Sequence, residues 1–379
     1  MKKIILVFIL AFLFVPKTYA ISDSIIESQK TSLNISGFLE ESKKYTEKIF
    51  PDIDLNTLLG SAITGNIDNK TILNGIINLF GKELKDTLKI LASILIIVII
   101  HSIFKSISDN LENTGITQIT YYVQYILIVT IIMSNFVEIT NMAVSAINNL
   151  VSFMYMLTPI LITLLVTTGS IASANIVQPM ILFVITFIGN IVSNIIMPII
   201  LVSTVFSVIS NISSKIQIDK LSSFFKSGIV WGLGIMLTIF VGLLSLEGTL
   251  GSSIDGLTAK TAKAAVSNFI PVVGKVLGDS IDTVLGCASI LKNAVGVVGV
   301  IIIVGICITP IIKLASLTII YHLASAICQP IADEKIVKLL EQIGGTFKVL
   351  LAIMCSISVM LMIGTTLVVK ISNSGLMYR

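Results

Sequence analysis

Arginine is all but absent from this sequence: Arg379 is the only one among 25 basic residues, and the rest are lysine. A nucleic-acid surface leans on clustered Arg and Lys, so no nucleic-acid partner is expected. Histidine is nearly as scarce. His101 and His322 both lie near the ends of apolar runs, where a hydrogen-bonded or interfacial ring is the ordinary role. Cys287, Cys307, Cys328 and Cys355 sit in apolar stretches without C-x-x-C spacing and read as small buried hydrophobes. No P-loop, H-E-x-x-H or G-x-S-x-G pattern occurs. Catalytic residues, a metal site and a cofactor are therefore not expected, and the chain does not read as an enzyme. Charge is the largest shortage. Only 12% of residues are charged, where a soluble domain carries roughly 25%; such a density cannot clothe a water-facing surface of this size.

The composition is filled instead by Ile, Leu and Val, with 55% apolar residues and a mean hydropathy of +1.00. Several runs of about twenty residues with almost no charge are long enough to cross lipid as helices. The chain therefore reads as an all-α integral membrane protein, multi-pass in a cell membrane, with lipid as a partner. Tyr121, Tyr122, Tyr155 and the single Trp231 are the candidates for an interfacial belt.

Residues 1–20 have the three parts of a secretory signal peptide: Lys2 and Lys3, the apolar run from Ile4 to Val15, and Thr18-Tyr19-Ala20 as a small-residue cleavage site. Residues 21–87 form the long polar region, with ten acidic residues against seven lysines, and read as a small extracytoplasmic helical arm. Leu73, Ile76, Ile77, Phe80 and Leu84 follow helical spacing. The arm serves either as a cap on the membrane domain or as a place where a partner docks.

Residues 88–246 read as a first transmembrane bundle, with spans at 88–104, 119–139, 151–166 and 229–246. The stretch 176–212 is too long for one span, and Asn190, Asn194 and Pro198 suggest that it is broken or passes twice. Residues 247–293 read as an amphipathic or re-entrant element. Residues 294–379 form a second bundle with a cytoplasmic tail, in which 295–327 is again over-long and 347–369 is the last span. The total is about seven to nine transmembrane helices. Lys215, Lys220 and Lys226 make 213–227 the most basic internal connection, expected on the cytoplasmic side together with the C-terminus.

Residues that could line a path or mark a helix break are Pro159, Pro179, Pro310, Lys313, Gln329 and Pro330. Thr158-Pro159-Ile160 and Gln178-Pro179 return as Thr309-Pro310-Ile311 and Gln329-Pro330, both at an offset of 151 residues. Duplicated broken helices are a habit of transporters. Lys313, three residues after Pro310, either lines a hydrated path or snorkels to an interface.

The most informative stretch runs from Gly256 to Gly299. It reads as two helical pieces broken at Pro271 and Gly274. In the second, Leu277, Ile281, Val284, Leu285, Ala288 and Leu291 share an apolar face, while Lys275 and Asp279 pair on the other. Gly274 and Gly278 form a small-residue face suited to close helix approach. Lys260, Lys263, Pro271, Gly274, Gly278, Asp279, Asp282, Lys292 and Asn293 are its candidate functional residues, in a broken re-entrant hairpin.

The run Gly256-Leu257-Thr258-Ala259-Lys260-Thr261-Ala262-Lys263, then Asn268 to Gly274 and Leu291 to Gly299, resembles the stage III sporulation protein AE family. So does Tyr321-His322-Leu323-Ala324 through Gln329 to Lys335. The resemblance covers about residue 85 to the C-terminus. It implies a multi-pass protein of the mother-cell membrane around the forespore, in an endospore-forming bacterium. It further implies a channel or secretion-like complex linking the two cells and needed for late forespore development. Its implied partners are other stage III sporulation proteins, including ring-forming components and an ATPase. The rival readings are an autonomous solute transporter and a structural anchor for the ring proteins.

Overall fold

The computed structural model describes residues 23–47, 54–66, 69–109, 114–212, 218–269 and 273–376. The signal peptide and Pro271 lie outside the described residues. All regular structure among the described residues is helical, as expected. Three short helices, α1 (Asp23–Ser32), α2 (Ile35–Thr46) and α3 (Leu55–Thr64), lie in the arm. Six long ones follow: α4 (Asn69–Asp109), α5 (Thr114–Thr167), α6 (Ile171–Ile212), α7 (Asp219–Phe269), α8 (Val273–Cys328) and α9 (Glu334–Leu376).

Side-chain contacts fix the relative register of α5, α6, α8 and α9. Tyr125 on α5 donates its hydroxyl proton to the Val208 carbonyl of α6 at 2.5 Å. Further along, Tyr155 meets Thr186 at 2.6 Å, so α5 and α6 are antiparallel. Phe136 of α5 and Tyr321 of α8 both lie against Phe347 of α9, with ring centroids 6.0 and 5.2 Å away. Higher up, Thr365 of α9 faces Met154. One end of the bundle therefore carries the α6–α7 and α8–α9 connections. The other carries the arm, the α5–α6 turn and the end of α9.

The chain reverses where local chemistry forces it. Gly169, at φ +84, ends α5 in a left-handed turn that suits glycine, and Ser170 N–H reaches back to the Leu165 carbonyl at 3.2 Å. Asp54 caps α3 through the Asn56 and Thr57 amides.

The prolines do not break the helices as expected. Pro159, Pro179 and Pro310 lie inside continuous helices. Ahead of Pro198 the backbone widens into a π-helical turn, Val192–Ile196, and then resumes as an α-helix. A π-turn takes up the clash of the proline ring with the preceding turn without reversing the chain. The over-long stretches are thus single helices, and the spans expected at 119–139 and 151–166 are two parts of α5. Five helical segments among the described residues are long and apolar enough to cross a membrane; α4 carries the additional apolar run 88–104.

The helices greatly exceed what crossing requires. At 1.5 Å per residue the 54 residues of α5 extend about 81 Å, against a hydrocarbon core of about 30 Å. The two pieces expected around Pro271 are there, but as the end of α7 and the beginning of α8 rather than as a separate hairpin. The end of α6 at Ile212 and the start of α7 at Asp219 stand at the opposite end of the bundle from the C-terminal end of α9, because α7, α8 and α9 make three traverses between them.

The arm spends its apolar face on the bundle. Ile35, Leu39, Leu55 and Leu59 are fully buried. Phe38 and Tyr45 pack on Phe153 of α5 at 6.0 and 5.8 Å, and Gln29 donates to the Val284 carbonyl of α8. This geometry is that of a cap.

Candidate functional site

Polar groups buried among apolar helices are costly unless partnered, so they locate the places that a membrane bundle maintains for a reason. Two stand out among the described residues, and a third polar contact, between helices, is partly exposed. The first is on α8, the most buried long helix. Lys292 has no exposed surface, and its ammonium donates to the Val369 carbonyl of α9 at 2.7 Å. Beside it the Asn293 Oδ1 atom is buried without a hydrogen-bond partner among the described residues.

The backbone here is packed as closely as glycine permits. A Cβ at Gly296 would stand 2.1 Å from Val369 Cγ2, and one at Gly299 would stand 2.8 Å from Leu157 Cδ2. The two glycines let α8 lie directly on α9 and α5, which is the small-residue contact that membrane helices favour. Valine at 369 is stiff about χ1 and cannot swing away easily.

The second site is at the other end, where α6, α7 and α9 meet. The hydroxyls of Ser203 and Ser222 each reach the other's carbonyl, at 3.0 and 2.9 Å, and Ser207 and Ser222 hydroxyls are 2.8 Å apart. Lys226 donates to the Gln342 carbonyl at 3.0 Å and reaches the Ser207 hydroxyl at 3.4 Å. Asn211 donates to Gln342 Oε1 at 2.7 Å. Asp219 and Lys338 form an ion pair beside them. Ser203, Ser207 and Asn211 recur every fourth residue, as do Ser222 and Lys226, so each set occupies one helix face. Sequence reasoning used Lys226 only as a loop charge; the four-residue recurrence was the signal that could have found this site.

The third is Lys313, which bonds Glu138 of α5 at 3.2 Å. α8 continues unbroken through Pro310, and the Lys313 ammonium is met by an ion pair across two helices.

The expected site residues divide accordingly. Lys292 and Asn293 are brought into the core, together with the motif glycines Gly296 and Gly299. Lys260 and Lys263 lie on the far part of α7, and Gly274, Gly278, Asp279 and Asp282 on the first turns of α8; their side chains are outside the described ones. Gln329 and Pro330 form the exposed α8–α9 turn, whereas Gln178 and Pro179 are within α6. The two Gln-Pro pairs therefore hold different places in the fold, while Pro159 and Pro310 both lie inside continuous helices; among the described residues no pair of broken helices supports a duplicated transporter. Among the described residues no group of His, Cys, Asp or Glu is placed to hold a metal ion.

The glycine–lysine segment of α8 has a physical role in helix packing, and comparison with known proteins assigns the chain's family. The profile of stage III sporulation protein AE matches residues 53–372. The chain belongs to this family. Stage III sporulation protein AE of Bacillus subtilis (strain 168) is 31% identical over 291 residues, covering 77% of this chain and 73% of that protein. No solved structure matches the chain. The family match begins earlier than the resemblance at residue 85 implied: it takes in α3 and all six long helices and leaves α1 and α2 outside. It contains both buried lysines and both tight glycines.

Proposed function

We propose that this sporulation protein is a non-enzymatic membrane component of a channel or secretion-like complex in the mother-cell membrane around the forespore. It works there with ring-forming stage III proteins and an ATPase. The observation that carries this reading is the family match across every long helix, joined to a bundle whose arm is already folded onto it. A carrier that moved solute alone would need a central site reached from alternating sides. Lys226 and Lys292 lie instead at helix–helix junctions, where each donates to a backbone carbonyl of a neighbouring helix.

The test is affinity purification of the tagged, functional full chain from sporulating cells under mild detergent. The ring-forming stage III proteins and the ATPase should co-purify in fixed proportion, and should be missing from an untagged control. A chain that purifies alone and moves solute in lipid vesicles would replace this reading with the transporter.

A further inference from the structure

One outward face of α5 is polar along most of the helix. Ser134, Glu138, Asn141, Ser145, Asn148 and Ser152 follow one another at steps of three or four residues, which places them on one side, and all are exposed. Thr130 precedes them and Tyr155 and Thr163 follow on the same side, exposed as well. From 130 to 163 the helix advances about 50 Å at 1.5 Å per residue. Helix α6 widens this face. Its Thr186, Asn190 and Asn194 are exposed at steps of four, and the 2.6 Å bond between Tyr155 and Thr186 joins the two stripes. A Cβ at Gly189 would stand 3.2 Å from Val151 Cγ2, so the helices lie close enough there for the stripes to form one strip.

Lipid is a poor neighbour for this strip. No bond to another helix occupies the side chains of Asn141, Asn148, Asn190 or Asn194 among the described residues, and hydrocarbon offers an amide no partner. The apolar span of α5 runs from Tyr125 to Thr167. A hydrocarbon core of about 30 Å takes about twenty residues of helix, and any twenty within that span include at least four of the polar residues of the stripe. The strip therefore reaches lipid depth wherever along the span the bilayer sits. Polar side chains at that depth face either the bundle interior or a water-filled cavity. Exposure rules out the interior. The outward apolar residues Phe183, Phe187 and Ile195 of α6 are turned to another side, where they line the groove toward α7.

We propose that the α5–α6 strip lines a water-filled path for small polar solutes, its other walls supplied by neighbouring chains, a role that rests on the complex proposed above. The chemistry of the wall suits this use. Glu138 is the only charged residue within 114–167 and 171–212, and Lys313 meets it at 3.2 Å. Hydroxyls and amides make up the rest. Such groups exchange hydrogen bonds with water and passing solutes, whereas rings of like charge select ions of one sign. The Glu138 side chain is 70% exposed, as a water-filled path allows and lipid does not.

The experiment uses the full chain in a cysteine-free background that still supports spore formation, in permeabilised membranes of sporulating cells, so that the whole complex is present. The probes are a small charged methanethiosulfonate and a maleimide carrying a large polyethylene glycol. Single cysteines replace Asn141, Asn148 and Asn190 in the strip, Ile103 on α4 and Val230 on α7 away from it, and Asn56 on the arm. Labelling after denaturation establishes that each thiol is present. N56C should react with both probes. N141C, N148C and N190C should react fully with the small probe and not with the large one, and I103C and V230C with neither. Reaction of the strip with both probes, as at N56C, would make it an open surface in water and overturn the path. Reaction with neither would make it a dry contact with lipid or protein and overturn it equally, as would reaction of I103C and V230C like the strip. A complex that co-purifies while its strip stays unreactive loses the path and keeps its partners, so the two readings fail separately.

Discussion

Helices α7 and α8 are both strongly apolar, yet they live in different surroundings. The most apolar eighteen-residue window has a mean hydropathy of 2.1 in the α7 span Asp219–Ser245 and of 2.9 in the α8 span Thr283–Cys328. Around α7, Phe224 and Trp231 point outward, 69% and 74% exposed, and a groove of about 580 Å³ runs between it and α6. Around α8, Leu291, Val295, Val298 and Ile302 are all fully buried. The difference teaches that apolarity in this chain serves two solvents. In α7 it faces outward to lipid, and in α8 it faces other helices. Glycine shows the same contrast: Gly228, Gly232 and Gly234 on α7 have open space where a Cβ would go, whereas Gly296 and Gly299 on α8 have none.

The largest expected effect is all-or-none and concerns which ends share a side. A cysteine replacing Ser214, next to the α6–α7 connection, and one replacing Ser374, near the end of α9, should label from opposite sides of the membrane. Labelling from one side would mean that the three traverses between them do not all cross. Next comes the glycine contrast. G296L should lose most folded protein, measured as steady-state membrane level and as melting temperature in detergent, since overpacking costs about 1–3 kcal/mol and more where the neighbour cannot yield. G234L should leave both unchanged. Equal losses would mean that the outer face of α7 is packed against another protein.

Lys292 sharpens the comparison on the α8 side. K292A removes the stem and leaves a cavity, and should destabilise by about 2–4 kcal/mol in thermal or denaturant melts. K292M fills the same space without a buried charge and should hold stability within about 1 kcal/mol, as apolar replacements of buried ions often do. A K292M protein that is stable but fails to support spore formation would show that the charge itself is needed. Smaller still is the coupling between Asn211 and Gln342. A double-mutant cycle to alanine should return about 0.6 kcal/mol, the average for such bonds in membrane proteins. Least of all, E138Q should change stability by less than about 1 kcal/mol, because the Glu138 side chain is 70% exposed.

The apolar runs at 88–104, 119–139 and 229–246 were legible because helix-length apolarity is a local property. What misled was the use of Pro159, Pro198 and Pro310 as breaks. A proline removes one hydrogen bond and crowds one carbonyl, and neighbouring helices or a π-turn take up both. Continuity across Asn141 to Asn149 or Asn190 to Asn194 was equally invisible, since a polar helix face is stable wherever water reaches it. At the candidate site, Lys292 and Asn293 were named from the sequence, but the carbonyl that Lys292 meets, that of Val369, lies 77 residues away. The Ser203–Ser207–Asn211 face was readable in spacing, and only Gln342 and Lys226, arriving from two other helices, turn it into a network.

By itself the sequence determined that this protein is helical, enters a membrane, carries a polar arm and belongs with its family through the glycine–lysine segment of α8. Those properties follow from the transfer preference of each residue and from short-range spacing. The tertiary structure alone decided which apolar helix becomes core and which becomes surface, where α5 and α6 run unbroken, and which lysines are buried. A leucine or isoleucine leaves water as readily for lipid as for a protein interior. The choice between the two rests on contacts such as Gly296 on Val369 and Gly299 on Leu157, made between residues far apart in the chain.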